Sequence, residues 1–493
     1  MKYHLTYDFG SGSVKAALSD QNYSLCGIEN VPYETYFPQF GQAEQKPLEH
    51  WQAMCCATHR LLEKTNVRAE DILGIAMAQT ATTIIFVDRE GNPLTDCVMW
   101  MDGRAEKQAE ELNRKLGKKV YGGKNVLAKL VWFMENRPEI IEKSACMLDV
   151  SGWLFHRMTG EWAYEFTGSR ATGLVDIENR CWDEKMFQLS GFPRRLVPER
   201  IASSTDQIGT LTKEAAVQLK LKEGIPLFGG CSDHAAAMLG TGCIRPGDAH
   251  IYIGTSAWLA SAATEGDGVP GRMPSPVPGL RYHFYDTDSG GSCIEFLIRN
   301  FYDRELADGK DVYLILEEEV NQALSEEQEK VLFLPFLAGA SAPISNTTVR
   351  ASLLNLTRST KRRHIALAVM QGICFNLRWM KEIHQEKNEW RPNFLRGIGG
   401  GMGSSELVQM LADVLDTPFT PLENPRFAGN LGLQTCIDLG LDNKKDFTIL
   451  DRIVKCGKTR YPRPTYREKH DRMYQFYRES YESLEAMYKK LNQ

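Results

Sequence analysis

A strand–turn–strand module occurs twice in this chain, and no other sequence feature restricts the fold as strongly. In the first copy, His4-Leu5-Thr6-Tyr7-Asp8-Phe9 enters the turn Gly10-Ser11-Gly12-Ser13 and leaves through Val14 to Leu18. In the second, Ala249-His250-Ile251-Tyr252-Ile253 enters Gly254-Thr255-Ser256 and leaves through Ala257-Trp258. Each turn offers small residues, backbone N–H groups and hydroxyls, which suits close approach to a phosphate chain. A plain β-hairpin would use the same residues, so either copy alone reads as a turn rather than a site.

Around these modules, short strand-like runs alternate with amphipathic segments, the signature of an α/β protein. Tyr3–Asp8, Val14–Leu18, Ile72–Ala78, Thr83–Val87, Ile225–Gly230 and Ala249–Gly254 read as strands. Residues 47–65 read as a helix, with Pro47 in the first turn and Trp51, Met54, Cys55, Thr58, Leu61 and Leu62 on one face. A long helix is expected from an N-cap at Ser359 or Thr360 to about Gln385, and a terminal packing helix from Tyr466 to Leu491. At 493 residues the chain has room for two or three domains. No low-complexity linker separates them, so the duplication alone sets the boundary near residue 245, giving domains 1–245 and 246–493.

Composition excludes several classes. Hydrophobic residues are 43% and charged ones 25%, as in soluble globular proteins. A net charge of −5 supplies no basic excess, so neither nucleic acid nor an anionic membrane surface is an expected partner. The 12 cysteines are scattered from Cys26 to Cys456 without a CxxC pair and read as reduced thiols. The N-terminus lacks an apolar core like that of a signal peptide. The longest nearly apolar stretch, residues 251–263, is too short to span a bilayer. A cytoplasmic location is the expectation.

Four segments have the composition of a reactive site. Asp8 abuts the first turn, where a carboxylate can hold Mg²⁺ through water, or simply close an Asx-turn. Lys15 follows the turn and is placed either to touch phosphate or to sit in solvent. Gly229-Gly230-Cys231-Ser232-Asp233-His234 puts an acid at the C-terminal end of a strand, where α/β sheets bind ligands; Asp233 is either a proton acceptor for a substrate hydroxyl or a helix N-cap. Gly397-Ile398-Gly399-Gly400-Gly401-Met402-Gly403-Ser404-Ser405 opens an apolar-faced helix, a geometry for nucleotide or anion approach. Trp100-Met101-Asp102-Gly103-Arg104 pairs an aromatic wall with two groups able to bond a polyhydroxylated ligand, although Asp102 also reads as an N-cap. The Gly397–Ser405 run does not match the dinucleotide fingerprint GxGxxG, Gly117–Asn125 fails as a Walker P-loop, and HExxH and GxSxG are absent.

Taken in order, these segments resemble the FGGY carbohydrate kinases, relatives of actin and the chaperone ATPases, with xylulokinase-like members nearest. The resemblance also takes in Ala76-Met77-Ala78-Gln79, Met158-Thr159-Gly160-Glu161, residues 333–339, Leu353-Leu354-Asn355-Leu356-Thr357 and Ala428-Gly429-Asn430-Leu431-Gly432. It implies two actin-like (ribonuclease H-like) α/β domains flanking a catalytic cleft, with ATP and Mg²⁺ as cofactors. The implied activity is transfer of the γ-phosphate to a sugar or polyol hydroxyl, most readily of a ketose such as xylulose. By position, Asp233 matches the catalytic base and Asp8 the acid near Mg²⁺. Gly10, Ser11, Gly12, Ser13 and Lys15, with Gly254, Thr255 and Ser256, match the phosphate loops. Gly400, Gly401 and Ser404 match the adenosine side, and Gln79, Trp100, Asp102, Arg104 and His234 fall where the family lines its sugar pocket. A sugar or polyol is the implied partner, and a homodimer is allowed.

The pattern departs from the family near the sugar. Thr80 and Ala81 stand where xylulokinases carry Met-His and glycerol kinases Arg-Glu. Tyr164-Glu165-Phe166-Thr167-Gly168-Ser169-Arg170 lacks the usual Ser-Asp pattern, and Ala340-Ser341-Ala342-Pro343 and Arg350-Ala351-Ser352 loosen the second signature. Retention of both Asp8 and Asp233 favours an active kinase over the alternative, a catalytically silent sugar- and nucleotide-binding regulator on the same fold. A protein-directed ATPase is disfavoured by the sugar-side matches.

Overall fold

The computed structural model describes residues 1–264, 273–326, 330–344, 346–392 and 394–492. The polypeptide forms two compact units. The first contains Met1–Gly242, a segment ending at Arg281, and Gly429–Ile453; the second contains Cys243–Thr264, Tyr282–Ala428 and Val454–Gln493. The division therefore differs from two contiguous halves, because a late segment returns to the first unit.

The first unit is built on a six-stranded sheet in the order Gln207–Thr210, Pro226–Ser232, Ile72–Gln79, Tyr3–Phe9, Ser13–Asp20, Leu25–Pro32. Tyr3–Phe9 is antiparallel to Ser13–Asp20 and parallel to Ile72–Gln79, which is parallel in turn to Pro226–Ser232. The central strand is buried on both faces, and its side-chain alternation separates two environments. Leu5, Tyr7 and Phe9 belong to the apolar core, and the Tyr7 hydroxyl pairs with Thr58 Oγ1 at 2.6 Å on the helix Pro47–Thr65. His4 and Thr6 meet the helix Ala428–Leu441, which presents Asn430, Gln434 and Asp438 at i, i+4, i+8. Asn430 Nδ2 donates to Thr6 Oγ1 (3.0 Å), Gln434 Nε2 bonds His4 Nδ1 (3.1 Å) and Asp20 O (2.8 Å), and His4 Nε2 lies 2.7 Å from Asp438 Oδ1. These buried polar pairs bind the late helix to the first unit.

The second unit repeats the order. Phe419–Pro421, Leu395–Ile398, Ala249–Ile253, Ala257–Thr264 and Leu280–Thr287 are successive neighbours in its sheet. Ala249–Ile253 is again antiparallel to its hairpin partner and parallel to the strand on its other side. The long helix runs Arg362–Asn388 and buries Val369, Ile373, Leu377 and Met380. Its N-cap is Lys361 rather than Ser359 or Thr360. The Thr360 hydroxyl instead accepts the Thr357 N–H (2.8 Å) in a preceding turn, and His364 Nδ1 accepts the Lys361 N–H (2.9 Å). The terminal helix is Pro464–Leu491, and Tyr474, Tyr477 and Tyr481 join the core. The strand expected over Thr83–Val87 covers only Ile85–Val87, after a positive φ of 69° at Thr82. Among the described residues no helix is long and apolar enough to cross a membrane.

Candidate active site

Asp233 owes its position to an irregular strand. Phe228 pairs with Ala76 and Cys231 with Ala78, so Gly229 and Gly230 together face the single residue Met77. Gly230 has φ of +62°, and a Cβ there would lie 2.0 Å from Met77 O, so only glycine fits this bulge. The strand ends at Ser232 and the helix Asp233–Gly240 begins at once. Ser232 occupies the N-cap and Asp233 the first helical position, so Asp233 is not the cap residue that local sequence allows. Its Oδ1 accepts the His234 N–H at 2.9 Å and lies 3.3 Å from His234 Nε2. The Asp233 side chain keeps 26% of its surface exposed. Burial raises its pKa above the ordinary carboxylate range; His234 opposes the rise and the Asp8 charge adds to it.

The first turn is held by side chains that periodicity does not single out. Gly10 N–H closes onto Ser13 O (3.0 Å), and the Tyr33 hydroxyl donates to Gly10 O and to Ser13 O (3.1 Å). Gln45 Nε2 donates to Ser11 O (2.6 Å), and Trp100 Nε1 donates to Ser11 Oγ (2.9 Å). Trp100, expected to wall the sugar pocket, thus braces the turn itself. Asp8 and Lys15 face each other across the hairpin, with Nζ 3.2 Å from Oδ2. Both stay partly exposed, at 23% for Asp8 and 30% for Lys15.

Beside Trp100, Asp102 is fully buried and its acceptor sites are taken. Oδ1 accepts from Arg104 N (3.1 Å) and Nε (2.9 Å); Oδ2 accepts from Ala43 N (2.7 Å) and Arg104 Nη2 (2.7 Å). Arg104 Nη2 also meets Glu44 Oε1 at 2.5 Å, and its guanidinium stands 5.1 Å over the Trp132 ring. Lys129, wholly buried behind this turn, donates to Met99 O (2.7 Å), and burial lowers its pKa to about 7. Asp102 is therefore a brace for Arg104 and not itself available to a ligand in this arrangement. Gln79 ends its strand buried, with Oε1 accepting the Ser151 N–H at 2.7 Å. The neighbouring Thr80 turns its hydroxyl onto Phe9 O (3.0 Å).

In the second unit, Gly254-Thr255-Ser256 closes the hairpin with Gly254 N–H bonded to Ser256 O (2.9 Å). The carbonyls of Gly254 and Thr255 accept N–H groups from Gly291 (2.7 Å), Gly290 (3.0 Å) and Ser292 (3.0 Å), where the helix Gly291–Phe301 starts. A Cβ at Gly290 or Gly291 would strike the Ser256 or Gly254 carbonyl oxygen at 2.5 or 2.4 Å. The Gly290-Gly291 pair thus seats this turn, and its only sequence signal is the adjacency of two glycines. Gly399, with φ of +94°, passes against Ile253 O, and the segment continues as a short 3₁₀ turn over Gly400–Gly403. A Cβ at Gly400 would lie 3.6 Å from Arg426 Nη2, and one at Gly401 2.8 Å from the Ile253 side chain. Ser404 is the N-cap of Ser405–Leu415 through the Leu407 N–H (3.3 Å), while Ser405 N–H donates to Glu317 Oε1 (2.7 Å). At this helix start, then, a hydroxyl and a carboxylate take the Leu407 and Ser405 N–H groups.

The chain is 28% identical over 431 residues to the xylulose kinase of Lactococcus lactis, covering 85% of this chain and 84% of that protein. It is 26% identical over 438 residues to the gluconokinase of Bacillus subtilis, covering 84% and 83%. The crystal structure of ligand-bound xylulose kinase from Lactobacillus acidophilus superimposes with a TM-score of 0.86 at 21% identity, covering 100% of both chains, so the fold is shared. The family models for the N-terminal and C-terminal domains of FGGY carbohydrate kinases match residues 3–240 and 249–434. With its two repeated sheets, the chain belongs to the FGGY family of carbohydrate kinases, phosphotransferases that use an alcohol group as acceptor.

Proposed function

We propose that this chain uses ATP to phosphorylate a hydroxyl of a neutral sugar or polyol, with a ketose such as xylulose as the first candidate. The observation that carries the reading is the Asp233 turn: a carboxylate with a raised pKa, partly exposed, placed by a glycine-dependent bulge. Asp233 takes the hydroxyl proton as the sugar oxygen bonds the γ-phosphorus and the bond to the departing ADP oxygen breaks. In this reading Gly10–Ser13, with Lys15 beside it, is the phosphate loop of the first unit, and Gly254–Ser256, Gly400, Gly401 and Ser404 are assigned to the nucleotide in the second. Gln79, Arg104 and His234 face the sugar, while Trp100 and Asp102 hold that side in place.

Asp8 fits Mg²⁺ as a single carboxylate beside the turn, since Mg²⁺ keeps several waters and binds through one or two carboxylates plus phosphates. Among the described residues no set of three His, Cys, Asp or Glu side chains could form a closed metal cage, which is consistent with that open mode. Bound Mg²⁺ supplies neutralisation of charge on the transferring phosphoryl group.

The Arg104 guanidinium is already committed to Asp102 and Glu44, so it is not an unpaired cation awaiting a substrate carboxylate, and a neutral acceptor suits it better than an aldonate. A coupled ADP-release assay over pentuloses, hexuloses, polyols and aldonates tests the reading: turnover is expected with a ketose or polyol and weak with gluconate. Preference for gluconate overturns the neutral-acceptor part. Nucleotide binding without turnover on any acceptor overturns the kinase.

A further inference from the structure

Glu165 lies in the segment that departs from the family pattern. It is buried among three donors. Its Oε2 accepts the Thr167 hydroxyl (2.7 Å) and the Gly168 N–H (2.9 Å), and its Oε1 accepts the Ser204 hydroxyl (3.0 Å). The first oxygen caps the short helical turn Phe166–Ser169, which alone would be a local structural role. The onward bonds go further. Because the Thr167 hydroxyl donates to Glu165, its oxygen is free to accept, and it takes the Ser232 N–H at 2.8 Å. Ser204, in turn, accepts the Gly230 N–H on its carbonyl at 3.0 Å. Gly230 is the second residue of the bulge, and Ser232, back in register opposite Gln79, is the last residue before Asp233.

We propose that Glu165 is a positioning residue for Asp233, acting through Thr167 and Ser204 to clamp the bulge residue Gly230 and the strand's last residue, Ser232, ahead of it. The inference rests on the reading of Asp233 as the base. A bulge breaks the ladder and leaves its residues without regular strand partners, so its geometry depends on bonds from outside the sheet. Here the Gly229 N–H goes to Asp206 O and the Gly230 N–H to Ser204 O, and Glu165 holds the second of these anchors as well as the Thr167 hydroxyl that takes the Ser232 N–H. A reacting group displaced by about 1 Å loses on the order of a hundredfold in rate, so the clamp should be visible in turnover.

Thr167→Val keeps the shape and removes the acceptor for the Ser232 N–H. Its kcat should fall roughly ten- to hundredfold, while KM for sugar and for ATP stay within about twofold. Thr167→Ser, which keeps the hydroxyl, should restore most of the turnover. If Thr167→Val does not fold, Ser204→Ala tests the other arm, with a several-fold fall in kcat expected at unchanged KM. Turnover within about twofold of the parent in the folded variant overturns the clamp. Asp233→Asn, measured in parallel, separates the two levels. If Asp233→Asn stays active, the base reading fails and the positioning role fails with it. If Asp233→Asn is inactive while Thr167→Val and Ser204→Ala are unimpaired, the clamp alone fails.

Discussion

Burial and the Asp8 charge both make Asp233 hold its proton more tightly, and the base of this reaction must be unprotonated to act. The acid limb of kcat/KM should therefore lie above the ordinary aspartate range. Asp8→Asn removes the like charge and leaves Lys15 unneutralised, and both changes favour ionised Asp233. The limb should move to lower pH even as turnover falls; an unmoved limb would show that some other group sets it. Asp233→Asn itself should lose about 10²–10⁴-fold in turnover with nucleotide affinity nearly intact, as read by calorimetry. Glu165 governs stability through the same chemistry. Burial raises its pKa to about 7 from 4.5, with its hydrogen bonds opposing the rise. A raised acid means that the folded state binds the proton more tightly, so its contribution is complete below the unfolded value and declines as pH rises through the folded one. Unfolding free energy should fall by at most about 3 kcal/mol across that window. Glu165→Gln should flatten the decline, because an amide oxygen can still accept from Thr167 and Gly168. Lys129 acts in a separate window. Its lowered pKa gives a contribution that is present at high pH and lost as pH falls through about 7. A decline that persists in Glu165→Gln below that pH would reassign it to another carboxyl.

At the scale of elements, what the sequence made legible was what one segment decides alone. The helix Pro47–Thr65 has the bounds that its proline and apolar spacing predict, and the two hairpins form where the Gly/Ser turns stand. Features that depend on distant partners were hidden. The glycine pair before Asp233 read only as part of a ligand-binding strand end, whereas Gly230 serves a bulge opposite Met77 on a neighbouring strand. Trp100 read as a sugar wall, but its indole reaches Ser11, and the acceptor sites of Asp102 are filled by Arg104 and Ala43. Glu44 and Gln45 went unmarked because a two-residue strand paired with Cys97–Val98 leaves no periodic signal. Gly230→Ala makes the hidden dependence measurable. A positive φ and a Cβ contact at 2.0 Å cannot be relieved by moving a side chain, since the obstructing atom is backbone. The substitution should cost about 2 kcal/mol or more in denaturant unfolding and lower turnover further by misdirecting Asp233. By contrast Gly12→Ala meets nothing within 4 Å and should leave stability nearly unchanged. Equal stability losses at the two sites would show that the bulge is not the determinant.

Across the whole molecule, the duplication that first constrained the fold is a duplication of sheet order, and its consequences differ between the units. Where the strand Ile72–Gln79 of the first unit ends in Gln79 and Thr80, its counterpart Leu395–Ile398 leads into Gly399–Ser404. One strand end thus serves the acceptor in the proposed reaction and the other the nucleotide. The units also differ in completeness along the chain. The N-terminal family match ends at residue 240, yet one face of the first central strand is completed by Asn430, Gln434 and Asp438. Without that helix, the His4 and Thr6 side chains and the Asp20 carbonyl would lose partners formed in a buried setting, at about 1–3 kcal/mol for each group left unsatisfied. Gly432 marks how closely the helix seats, since a Cβ there would lie 2.4 Å from Ala236 O on the helix that begins with Asp233. A fragment of residues 1–242 should therefore expose that face and aggregate or unfold at low denaturant. Joining residues 429–453 to it through a flexible linker should yield a soluble unit with a cooperative transition. Both fragments can be compared by urea unfolding and by hydrogen exchange at Leu5 to Tyr7. Equal stability and equal protection in the two would mean that the late helix is an accessory to the first unit rather than part of its core.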